Sequence, residues 1–252
     1  MNLSRSVYLY EQQANDDVEI KTIIKEIALK HKRYGFRKIF HVIRRRGYQW
    51  NHKRVYRVYR ELGLHLKKKP KKRLPSREKV TLFQPSRLNE VWSLDYMSDA
   101  LVSGKRFRTL NIIDDYNREA IVIKVSMSLP ACRVIEQLDF VAQQRGYPTK
   151  IRMDNGPENI AKIMGGWAQQ RNVRLEYIEP GEPAQNGYIE RFNRTYREEI
   201  LDMYLFKTVD HAQAITNVWL KEYNTERPHH ALDNLTPHQY ATVNKNSISP
   251  LY

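Results

Sequence analysis

The segment Arg152-Met153-Asp154-Asn155-Gly156-Pro157-Glu158 decides how the rest of the chain reads. A strand-like run, Thr149-Lys150-Ile151, leads into it. Asn155-Gly156 is a turn dipeptide, and Pro157 suits the first position of a helix because its missing N–H has no partner there anyway. Strand, tight turn and helix are therefore expected, with Asp154 at the strand end. A carboxylate in that position faces a site and not a core.

Working outward, Glu90 to Tyr96 alternates as a strand, and Arg106 to Asp114 and Ala120 to Ser126 are two more, joined by Asp115-Tyr116-Asn117. Pro130 to Gly146 has the spacing of a helix with Val134, Ile135, Leu138 and Val141 inward. Downstream, a helix from Pro157 to about Asn172 precedes a short strand, Arg174 to Tyr177. After the Pro180–Pro183 turn, one long helix is expected from Gln185 to about Asp202. This order predicts an α/β layered fold around a mixed five-stranded sheet with flanking helices. A last helix, Val209 to Tyr223, leads to an irregular tail, and Thr236-Pro237 starts a short helical turn.

The basic charge is concentrated in one region. Of the 252 residues, 1–88 carry 24 Lys/Arg against 7 Asp/Glu, whereas 89–252 carry 19 against 21. An excess confined to the first third points to nucleic acid or an anionic membrane surface, with a merely solvated basic face as the bland alternative. Three amphipathic runs lie there: Asp17 to Lys30, a second through Phe36, Ile39, Phe40 and Ile43 up to Gly47, and a third capped by Asn51 and ended by Gly63. The third is basic (Lys53, Arg54, Arg57, Arg60) and the preceding turn is Arg44-Arg45-Arg46, which suits a helix-turn-helix DNA binder. Lys67 to Pro75, including Lys68 and Lys69, is a charge run broken by prolines and reads as an extended linker whose lysines can track phosphates. The expected divisions are a lead (1–16), a small all-α helix-turn-helix domain (17–66), a linker (67–88), a catalytic core (89–206) and a C-terminal helix and tail (207–252).

Cys132 is the only cysteine, which excludes an intramolecular disulfide and a Cys-rich zinc module. With no bilayer-spanning apolar run and no secretory apolar centre in MNLSRSVYLY, a soluble protein of a reducing compartment is expected, without a membrane partner.

Three carboxylates make sense together. Asp95 lies mid-strand in an apolar segment, where a charge is costly unless paired or bound to a cation. Asp154 ends the fourth strand, and Glu190 follows after 35 intervening residues, room for one helix, one strand and the return. Oxygen ligands without His or Cys select Mg²⁺ or Mn²⁺. Two such ions, about 3.5–4 Å apart, activate a nucleophile and stabilise the leaving oxygen in an in-line displacement at phosphorus. Asn186, Asn193, Arg194 and Arg197 share the Glu190 face of its helix and are candidates for DNA contact.

WSLDY, RMDNGPE and QNGYIERFNRTYREE resemble the DDE signature of the retroviral-integrase superfamily, and YNTERPHHAL…TPHQY and YGFRKIFHVIRRRGYQWNHKRVYRVYRELGL resemble the flanking segments of OrfB-type insertion-sequence transposases. The resemblance spans roughly residues 3–242. It implies an RNase H-like core in which Asp95, Asp154 and Glu190 hold two Mg²⁺ ions, with Mn²⁺ able to substitute. Arg197 matches the family's basic residue seven places after the Glu. Double-stranded DNA (element ends and target) is the implied partner, with a homo-oligomer on paired ends and a first-frame product as partner or fusion. The setting implied is the bacterial cytoplasm, nucleoid-associated when bound to DNA.

In the family, water frees a 3′-OH at the element end, and that hydroxyl attacks a second phosphodiester. The zinc module that precedes the core in retroviral integrases cannot be built with one cysteine. A DNA-binding regulator on a silent core is the alternative. A tyrosine recombinase is disfavoured, because its His-x-x-Arg string, His41 to Arg44, falls in the basic helical domain. Asp114-Asp115 reads as turn chemistry, Glu158 as a helix-dipole complement, and His229, His230 and His238 as structural or surface residues.

Overall fold

The computed structural model describes residues 17–66, 83–154, 162–179 and 183–245. The expectations for residues 1–16, for Lys68 and Lys69, for the Pro157-Glu158 helix start and for the Pro180-Gly181-Glu182 turn lie outside them. The chain divides into two units, Met1–Lys69 and Pro70–Tyr252.

In the first unit, helices α1 (Val18–Lys30), α2 (Phe36–Arg45) and α3 (His52–Glu61) follow the predicted periodicity. Ile20, Ile24 and Ile27 of α1, Ile39 and Ile43 of α2, and Val55, Val58 and Tyr59 of α3 close one buried apolar cluster. Asn51 caps α3, its Oδ1 accepting from the Lys53 N–H at 2.8 Å. Gly47 and Gly63, at φ +92° and +66°, follow α2 and α3 in the left-handed conformation that glycine adopts without a Cβ penalty. Asp17, 6% exposed just before α1, accepts from Arg54 at 2.8 Å and from Arg57 at 2.6 Å. Burial alone would raise its pKa; the two guanidiniums outweigh that and hold its carboxyl below the usual range.

The second unit holds one sheet in the order β3-β2-β1-β4-β5, built from β1 (Val91–Ala100), β2 (Arg106–Asp114), β3 (Ala120–Ser126), β4 (Lys150–Met153) and β5 (Arg174–Tyr177). β1, β2 and β3 are antiparallel neighbours, while β4 runs parallel to β1 and β5 parallel to β4. Side chains alternate across the sheet. Trp92, Leu94, Leu110, Ile112 and Val122 face α4 (Ala131–Arg145) and α5 (Lys162–Gln170) in one core. Phe107, Ile113, Ile123 and Val125 face α6 (Gly187–Tyr196) and α7 (Val209–Thr225) in another. Helices thus cover both faces of the central strands. This is an RNase H-like α/β fold preceded by a helix-turn-helix unit.

The edge strand β3 is blunted by side chains from α7. Gln213 accepts from the Val125 N–H and donates to the Ile123 carbonyl, and Asn224 does the same for Ala120. These amides occupy backbone groups that would otherwise template another strand.

Two expectations are corrected. The segment from Gln185 to Asp202 is not one uniform helix: a 3-10 turn (Pro183–Asn186) leads into α6, and a π turn (Arg197–Leu201) ends it, with the Asp202 N–H reaching the Arg197 carbonyl at 2.8 Å. The widened turn carries Glu199 to Arg227 and Trp219. The segment after Thr236 is not a single turn but α8 (Pro237–Lys245). Thr236 and Gln239 exchange side-chain-to-backbone hydrogen bonds at 3.1 and 3.0 Å, the reciprocal capping box that starts a helix.

Candidate active site

β1 occupies the middle of the sheet, and Asp95 lies in it on the face covered by α6. The parallel register pairs Ser93 with Arg152, and Asp95 and Asp154 follow in the same chain direction at that end of the two strands. Glu190 is exposed in the first turn of α6. The Asp95 carboxylate accepts from the Tyr96 N–H at 2.8 Å and from Asn193 Nδ2 at 2.6 Å. Burial first, then the charges of Asp154 and Glu190, push its pKa up to about 6 against the pull of those two donors.

The charges of the three predicted carboxylates therefore meet at Asp95. Among the described residues, no three His, Cys, Asp or Glu side chains stand close enough to ligate one ion together. The donor set is nonetheless all oxygen, and mutual carboxylate repulsion around a half-buried aspartate is what a hard divalent cation relieves. The residues fit such an ion.

The predicted DNA-contacting residues fall into different environments. Asn186 is 5% exposed just before α6, with its Oδ1 unpartnered among the described residues. Asn193 is buried against Asp95. Arg194 is exposed, and Arg197 donates to the Ser98 carbonyl near the end of β1 at 3.0 Å. In the first unit, Arg54 and Arg57 are engaged by Asp17, Arg44 by Gln49 and Arg46 by Glu26; Arg45, Arg46, Lys53 and Arg57 are exposed.

Several contributors escape a reading of the sequence alone. Asn111, buried opposite Asp95 on β2, donates to Asn193 Oδ1 at 2.7 Å; an amide inside Leu110-Asn111-Ile112-Ile113 was the available signal. Arg152 reaches Asp115 at 3.1 Å and Glu176 at 3.2 Å. Asp114 accepts from the Tyr116 N–H, as its turn chemistry predicts, and also from Arg145 and the Asn89 N–H. His238 Nε2 lies 3.5 Å from Glu119. A cleft of about 740 Å³ along β3, between α4 and α7, contains none of the three carboxylates.

Asp115 supplies a pH prediction. Burial pushes its carboxyl from 3.8 up to about 6, despite Arg152 and Arg118. Its folded pKa lies above its unfolded one, so the folded chain binds the proton more tightly between those values. Stability then falls as pH rises from near 4 to near 6 and levels off beyond. Asp115→Asn is expected to make that decline shallower, leaving the share due to Asp95, checked by urea midpoints across the window.

The chain is 38% identical to the insertion element IS407 uncharacterized 31.7 kDa protein of Burkholderia multivorans, over 97% of this chain and 89% of that one. The chain belongs to the OrfB-type insertion-sequence transposases. Integrase core domain families match residues 85–183 and 171–237, and the HTH-like domain family matches residues 14–73. These spans follow the two units of this transposase family member. Transposase InsD for insertion element IS2D of Escherichia coli is 23% identical over 89% of this chain and 79% of its own. The HTLV-2 integrase catalytic core domain, solved in complex with magnesium, aligns at a TM-score of 0.50 and 16% identity over 63% of this chain and 99% of that one. That last likeness is one of fold. No helix among the described residues is long and apolar enough to cross a membrane.

Proposed function

We propose that this transposase cleaves the 3′ ends of its own insertion element and joins them to target DNA, using Asp95, Asp154 and Glu190 to hold two divalent cations, Mg²⁺ with Mn²⁺ able to replace it. The observation that carries the reading is the carboxylate field at Asp95: a largely buried acid in the central strand, raised by burial and by the charges of Asp154 and Glu190. Bound there, the cations would activate the attacking oxygen and stabilise the leaving one.

The chain's own residues orient the reactants. In the first step a water oxygen bonds to phosphorus at the element end, and the P–O bond to the departing 3′ oxygen breaks, leaving a free 3′-OH. In the second, that hydroxyl attacks a target phosphodiester, and one target oxygen departs as the new bond forms. No covalent protein–DNA bond is made. Arg194 and Arg197, on α6 and at its π turn, are assigned to the phosphates beside the site, and Asn186 to the start of that helix surface. The first unit, with Arg44, Arg45, Arg46, Lys53, Arg54 and Arg57, and then Lys68 and Lys69, is assigned to the element ends. Arg54 and Arg57 do so while also paired to Asp17.

The active form proposed is at least a dimer on paired ends in the bacterial cytoplasm, with a first-frame product as partner or fusion. The test is incubation with supercoiled plasmid bearing the native element, with and without Mg²⁺ and with and without the first-frame product, scored for joined ends. Joined ends that require Mg²⁺ are expected. Silence in every arm, with end binding intact, would instead favour a regulator built on an inactive core.

A further inference from the structure

Asp95 is held by more than its neighbour in sequence. Its Oδ2 takes a hydrogen bond from Asn193 Nδ2 at 2.6 Å, and Asn193 Oδ1 in turn takes one from Asn111 Nδ2 at 2.7 Å. Asn111 is fully buried on β2, directly across the ladder from Asp95, and Asn193 is 7% exposed on α6. The relay crosses from the sheet to the helix that carries Glu190 and returns to the sheet.

Its polarity is forced. A carboxylate accepts and does not donate, so Asn193 must turn its amide nitrogen to Asp95 and its carbonyl to residue 111. A buried carbonyl needs a donor, and among the described residues Asn111 supplies it. With both Asp95 oxygens claimed from fixed directions, by the Tyr96 N–H and by Asn193, the remaining lone pairs are aimed at one place.

We propose that Asn111 is a positioning residue for the metal site: by donating to Asn193 it fixes the orientation in which Asp95 offers its carboxylate to a divalent cation. The inference rests on the reading of Asp95 as a metal ligand. Outer partners that orient a ligating carboxylate change metal affinity or activity by about 10–100-fold when removed. Asn111→Leu keeps the approximate shape and removes the donor, leaving the Asn193 carbonyl unpaired and its amide free to turn away. Thr109 is the matched control, since it lies on the same strand and the same face, is equally buried, and its Oγ1 has no partner among the described residues.

The experiment measures Mn²⁺ binding to the full chain by electron paramagnetic resonance without DNA, together with the Mg²⁺ concentration giving half-maximal strand transfer. Folding is checked by circular dichroism and thermal midpoint. Asn111→Leu is expected to weaken Mn²⁺ binding about tenfold or more and to raise the Mg²⁺ requirement in parallel. Thr109→Val is expected to leave both unchanged. Asn111→Ala, smaller and still without a donor, carries the same expectation should the leucine variant not fold. Wild-type Mn²⁺ affinity in a folded Asn111 variant overturns the relay, as does equal weakening by Thr109→Val. Asp95→Asn is run alongside. If it binds Mn²⁺ like the wild type, the assignment of Asp95 as a ligand fails; if it loses binding while the Asn111 variants keep it, only the relay fails.

Discussion

Asp95→Asn and Asp154→Asn are each expected to lower strand transfer roughly a thousandfold or more, equivalent to about 4 kcal/mol of transition-state stabilisation, with the fold retained. The asparagine at 95 keeps one oxygen for the Tyr96 N–H, and its amide nitrogen donates where a carboxylate oxygen accepted, so the Asn193 and Asn111 amides must turn over to keep the relay bonded. What disappears is one unit of negative charge in a place where burial and two further carboxylates already oppose it. The thermal midpoint should therefore stay level or rise while activity falls. A purely structural aspartate predicts the reverse, a lower midpoint with activity falling only as far as the folded fraction does. Pre-cleaved element-end DNA is the suitable substrate, because it isolates the joining step. Strand transfer at wild-type rate by Asp154→Asn in Mg²⁺ would sink the assignment.

Much of the fold was legible because the sheet is covered on both sides. Strands such as Arg106–Asp114 and Ala120–Ser126 are then apolar on both faces and stand out between turns, and their predicted bounds coincide with β2 and β3. Helix interruptions were harder to read. The π turn at Arg197–Leu201 follows a sequence, Arg197-Glu198-Glu199-Ile200-Leu201, with every propensity for a regular helix. The contact it makes through Glu199 is with Arg227, 28 residues further along the chain and beyond the reach of any local pattern. The α8 start is legible at Thr236-Pro237, since Thr236-Pro237-His238-Gln239 is a capping box with proline at the first helical position, but its run to Lys245 exceeds the single short turn expected.

The site divides in the same way. A lone aspartate inside an apolar strand, and another before Asn-Gly-Pro, signal themselves through the cost of burying a charge. The Asn111–Asn193–Asp95 relay is marked locally only by the amide inside an apolar strand at Asn111; its partners depend on the β1–β2 register and on which face α6 covers. Net charge identified the first unit as basic but could not reveal that Arg54 and Arg57 bind Asp17 at the start of α1. A DNA-contact assignment drawn from charge alone counts arginines that also hold the domain together.

The largest loss of stability is expected from Arg227→Met, about 3–5 kcal/mol, because it strands a buried carboxylate. Arg227 lies just past α7 and is 7% exposed; its guanidinium pairs with both oxygens of Glu199, and Trp219 donates to Glu199 Oε2 at 3.0 Å. The same guanidinium lies 5.6 Å from the centre of the Tyr223 ring. Three elements meet at this pair: the π turn that carries Glu199, helix α7 that carries Trp219 and Tyr223, and the segment leading to α8. Removing the arginine alone leaves Glu199 charged in a nearly dry setting. Adding Glu199→Gln removes the charge and keeps an acceptor for Trp219, so Arg227→Met/Glu199→Gln should recover most of the lost stability. A contribution from packing alone predicts no such recovery, and a thermal or urea denaturation cycle over the four proteins separates the two. Strand transfer should fall in the single variant beyond the loss of folded protein. The π turn begins at Arg197, whose contact with the Ser98 carbonyl ties the end of α6 to β1, the strand that carries Asp95.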